Sequence, residues 1–98
     1  MAKITYQKVK SLVDNVNTAN EEDIIVEWSV NPRINIKTKR TVSICVSLYL
    51  KGSLVIGDSF IDEMKKSLKA FRFAIKKERS YLVLLYDIHT EDFDATHS

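Results

Sequence analysis

Residues 59–78 read SFIDEMKKSLKAFRFAIKKE. At about 100° per residue, Phe60, Ile61, Met64, Leu68, Phe71 and Ile75 fall on one face of a helix. Lys65, Lys66, Lys69, Arg72, Lys76 and Lys77 fall on the opposite face, with Phe73 among them. The stretch therefore reads as one long amphipathic helix, its apolar side turned to a core and its cationic side turned out. Ser59 with Asp62 resembles a capping box. Asp62 and Glu63 sit at the positive end of the macrodipole, and Lys76 and Lys77 at the negative end.

A helix of this kind needs a sheet to roof, and the preceding residues supply one. Ile24, Val26, Trp28 and Val30 alternate with Ile25, Glu27 and Ser29, the pattern of a half-buried strand. Asn31-Pro32 reads as its stop, because proline cannot donate to a ladder. Residues 33–38 alternate again, with Ile34 and Ile36 inward and Lys39-Arg40 at a hairpin tip. Residues 41–50 place Val42, Ile44, Val46, Leu48 and Leu50 on one face and Thr41, Ser43, Cys45, Ser47 and Tyr49 on the other. A turn at Gly52 and a short strand over 54–56 follow. Residues 80–89 are apolar on both faces, as for a central strand or a subunit contact. Before the sheet, residues 5–18 show helical spacing of Tyr6, Val9, Leu12, Val13 and Val16, with Thr5 as N-cap and Asn17 or Asn20 as the left-handed C-terminal residue.

The expected fold is α+β, in the order α-β-β-β-(β)-α-β: an antiparallel meander with both helices on one face. The 98 residues make one domain, with 1–4 and 90–98 frayed. A hydrophobic content of 45% is ordinary for a globular chain. The net charge of +2 is too small to name a partner, but the bases crowd into 33–40 and 65–77 and the acids into 21–27 and 87–94. The single Cys45 cannot form an internal disulfide and suits a reducing compartment. The first residues lack the apolar run of a signal peptide, and nothing approaches the ~20 apolar residues of a membrane span. A cytoplasmic protein is expected. The abundance of Ile, Lys and Asn fits an AT-rich bacterial or phage genome.

Motifs for chemistry are missing. His89 and His97 with one cysteine offer no metal-ligand spacing. Cys45 lies mid-strand without a base, which reads as a small filler of a sheet face. Glycine at 52 and 57 alone writes neither a phosphate loop nor a dinucleotide fingerprint. No catalytic residue, cofactor, metal or small-molecule substrate is expected, nor a membrane partner.

What remains is surface. Lys65, Lys66, Lys69, Arg72, Phe73 and Lys76 form the first candidate contact set, bases with an aromatic that can stack. Arg33, Lys37, Lys39 and Arg40 form a second basic patch. The order α-β-β-β-α over residues 5–78, with TVSICVSLYLKG before the last helix, is similar to the double-stranded RNA-binding domain. That family places a lysine-rich run at the start of its second helix. Here that start is SFIDE, acidic and apolar, so the likeness is one of topology. Two readings follow. The favoured one is a non-enzymatic interaction protein, a bacterial or phage regulator of another protein or a homodimer. The alternative is a nucleic-acid-binding module using the cationic face of helix 59–78.

Overall fold

The computed structural model of the chain describes residues 3–51 and 57–94; the Gly52 turn, the strand expected over 54–56, and His97 lie outside them. Strand β1 (Ile4–Thr5) leads into helix α1 (Tyr6–Ala19). Strands β2 (Ile25–Ile34) and β3 (Thr41–Lys51) form a hairpin, and helix α2 (Asp58–Ser67) follows. Strands β4 (Arg72–Glu78) and β5 (Tyr81–Ile88) form a second hairpin. A 3-10 turn (Thr90–Asp92) then leads to β6 (Phe93–Asp94). The class is α+β, as expected. The main sheet is antiparallel in the order β2-β3-β5-β4, and β1 pairs with β6 in parallel. The second hairpin docks by its later strand, so β5 is central, which explains its apolar residues on both faces.

Both helices serve one core. Val9 and Val13 of α1 and Met64 of α2, with Leu68 just beyond it, pack with Val46, Leu48, Leu50, Leu84, Tyr86 and Ile88 from one face of the sheet. The Tyr86 hydroxyl donates to the Ile61 carbonyl at 3.2 Å, pinning α2 to β5. Burial, and then the charge of Asp62, push the Tyr86 phenol well above its usual range. The ends are not frayed where they are described: Ile4 pairs with Phe93, Thr5 with Asp94, and the Tyr6 and Phe93 rings meet edge to face at 5.2 Å.

Several expectations give way. The long helix ends at Ser67. Lys69 takes a left-handed φ of 54°, its N–H donates to the Lys66 carbonyl (3.1 Å), and the Ala70 N–H reaches back to Lys65 (3.0 Å). That paired arrangement is a Schellman stop, here built without glycine. Beyond it the chain runs as a strand, so the α-β-β-β-α order is not found among the described residues. The N-cap of α2 is Gly57 without a side-chain cap, not Ser59, and its last-turn bases are Lys65 and Lys66 rather than Lys76 and Lys77. At the end of α1, Glu21 takes the left-handed position, while Asn17 hydrogen-bonds both backbone groups of Ile25.

The first hairpin is also rebuilt. Pro32 lies inside β2, tolerated because β2 is an edge strand. Between Ile25 and Glu27 the register slips by one, so Val26 bulges outward and Ile25 enters the core. Between Ser43 and Thr41 it slips again, and Val42 bulges out. The tip is residues 36–39, closed by Asn35 N–H to Arg40 carbonyl at 2.9 Å. Ile34 and Ile36, expected inward, are 55% and 86% exposed, because the hairpin runs past the helices that would cover them.

Candidate interaction surface

The two basic stretches meet at one end of the sheet. β2 and β5 end there, β3 and β4 begin there, and α2 delivers its last turn to the start of β4. Arg33, Lys37, Lys39 and Arg40 come from the first hairpin; Lys65, Lys66, Lys69 and Arg72 come from the end of α2 and its exit. Lys76 lies further along β4 and pairs with Glu78 at 3.5 Å. The single cationic helix face is therefore divided. Lys65 and Lys66 ride on the helix layer, while Arg72 and Lys76 lie on the helix-free face of the sheet, as their partners Asp87 and Val83 do.

Phe73 and Phe71 exchange roles. Phe73, expected among exposed bases, is half-buried against the core with its ring 5.0 Å from that of Tyr86. Phe71, expected in the core, is exposed and stacks on His89 at 4.0 Å and 16°. The Arg72 guanidinium stands 5.6 Å from the Phe71 ring. Ile75, also expected in the core, is 53% exposed on the edge strand β4.

The helix-free face is organised by a buried carboxylate. Asp87 is 4% exposed and accepts from Arg33 Nε at 2.6 Å and Arg72 Nε at 2.9 Å. Burial alone would raise its pKa; the hydrogen bonds and charges of the two arginines more than offset this and hold it below the usual carboxylate range. The arginines come from the two edge strands, so the pair straps the sheet from side to side. Arg33 Nη2 also lies 3.6 Å from the Cys45 sulfur. Ser43, Cys45 and Ser47, which the alternation places on a wet face, are buried. Burial pushes the Cys45 thiol up, above the lowering influence of Ser47 and Arg33, which makes it a poor nucleophile. Among the described residues the Ser43 hydroxyl has no hydrogen-bond partner.

Among the described residues no group of three His, Cys, Asp or Glu side chains is placed to hold a metal, and no helix is long and apolar enough to cross a membrane. Clefts lined by the described residues include a polar one of about 640 Å³ beside Asp14, Glu21 and Asp23, and one of about 400 Å³ beside Lys3, Thr5 and Lys8. Sequence reasoning missed Asp87, which it counted only among the acids crowded into 87–94; the signal available was an acid in an otherwise apolar strand. No protein family, curated protein or solved structure matches this chain.

Proposed function

We propose that this chain is a non-enzymatic binding protein that works through protein contacts, with the β2–β3 hairpin end as its working surface. One observation carries the reading. Ile34, Ile36 and Val42 are each exposed at or beside an ordered turn that also carries Lys37, Lys39 and Arg40, with Arg33 just before it. The turn is held by its own bonds: Asn35 Oδ1 accepts from the N–H groups of Lys37 and Thr38 at 2.9 and 3.2 Å. Exposed apolar side chains interspersed with cations suit a protein contact, and the cations favour an acidic partner surface. Exposed aliphatic side chains contribute little to nucleic-acid binding, which favours protein.

Nucleic acid is the second reading, favoured by the exposed Phe71–His89 stack and Arg72 beside the same cations. One experiment separates them. The chain is immobilised and exposed to lysate of its own host, with and without nuclease, beside I34S/I36S/V42S and K37E/K39E/R40E variants. The protein reading expects a protein retained through nuclease treatment and lost from the serine variant. Retention that nuclease abolishes, with the serine variant unaffected, overturns it in favour of nucleic acid.

A further inference from the structure

The two edges of the main sheet are not alike. β2 carries Pro32 two residues before its end, an outward bulge at Val26, and a second register slip opposite Val42, devices that blunt an edge against pairing. β4 has no proline, and its pairing with β5 runs without a slip from Arg72 to Glu78. Among the described residues nothing pairs with its other side. On its helix side it shows Ile75, half-exposed and next to the half-buried Phe73.

We infer that the β4 edge is a homodimer interface, in which two copies pair antiparallel about Ile75 to make one eight-stranded sheet. The occupant is a second copy because the strand is complementary to itself in this register. A dyad perpendicular to the sheet keeps each side chain on its own face, so residues of the same parity must oppose. With Ile75 against Ile75, all of 72–78 overlaps: Arg72 opposes Glu78, Phe73 opposes Lys77, and Ala74 opposes Lys76. No like charges face each other. Centring on Ala74 instead sets Arg72 against Lys76, and centring on Lys76 sets that lysine against itself; both are penalised. Arg72 is available for Glu78, since among the described residues it reaches Asp87 through Nε, leaving its terminal nitrogens for the joint. Across the dyad Lys77 of the second copy comes opposite Phe73, so the edge lysines that would otherwise guard the strand meet an aromatic and Ala74 rather than one another. The interface lies on a different edge from the β2–β3 hairpin and does not depend on that reading.

Sedimentation equilibrium over a wide concentration range tests it on wild type and Ile75→Lys. The wild type is expected to dimerise, and Ile75→Lys to raise the dissociation constant by about tenfold or more, because it sets two ammonium groups at the dyad. An unchanged circular-dichroism melt shows that the variant folds. Ile75→Cys reports the register independently: it is expected to form a disulfide-linked dimer under mild oxidation, whereas Ala74→Cys, whose twin lies two residues away across the joint, is not. Wild type with its buried Cys45 is the control. A wild type monomeric throughout, an undiminished Ile75→Lys dimer, or Ala74→Cys linking as readily as Ile75→Cys would overturn the inference.

Discussion

At the residue scale, Asp87 bears most on stability. A buried carboxylate without partners is unfavourable, and this one holds its charge because two arginines from opposite edges reach it. Both arginines are substantially exposed, so each alone adds little; the effect lies in satisfying a buried acid. Asp87→Asn is expected to destabilise the fold by about 2 kcal/mol at pH 7, read by urea denaturation. The pH dependence has a definite sign. The folded pKa is depressed, so the stabilisation is present above the unfolded value of about 4 and is lost as pH falls through the folded one. Wild type and variant should therefore converge in stability between pH 4 and lower values. A gap that stayed constant into acid would place the cost in packing rather than in charge.

Among elements, the junction of α2 and β4 decides how the surface is arranged, and its cause is local. Residues 68–75 carry apolar side chains at 68, 71 and 75, which fits a helix, and at 71, 73 and 75, which fits a strand. The stop signal that would have broken the tie is a left-handed residue, and Lys69 fills it where glycine is usual. The same substitution recurs at Glu21, Lys39 and Arg79. A chain that builds its turns from charged residues hides its boundaries from sequence. The strand over 41–50 and the helix over 5–18 were legible because their periods admit one reading; the bulges at Val26 and Val42 were not, since register slips are set by the partner strand. The contact set was legible as a list of cations, but not their division between the two faces. These left-handed sites also carry strain. Arg79→Gly, in the tight turn between β4 and β5, is expected to raise stability by roughly 0.5–1 kcal/mol, a melting shift of several degrees. Ser80→Gly, at a residue without positive φ, is expected to lower it or leave it unchanged.

Across the whole molecule, the cations of the hairpin and of the α2 exit gather at one end of the strands, where Asp87, Glu91 and Asp92 also lie, while Glu21, Glu22, Asp23 and Glu78 share the other end with Lys51, Lys77 and Arg79. The cations outnumber the acids at that end, so a chain with a net charge of +2 still presents a basic end. It arises only because residues 59–78 bend at Lys69. A straight helix would leave Asp87 without Arg72 and remove the open β4 edge. The direct measurement is backbone NMR of residues 66–80. The account predicts helical shifts ending at Ser67, strand shifts over 72–78, and cross-strand proton contacts between Phe73 and Tyr86. Helical shifts with contacts between residues three apart, continuing through Ile75, would contradict it.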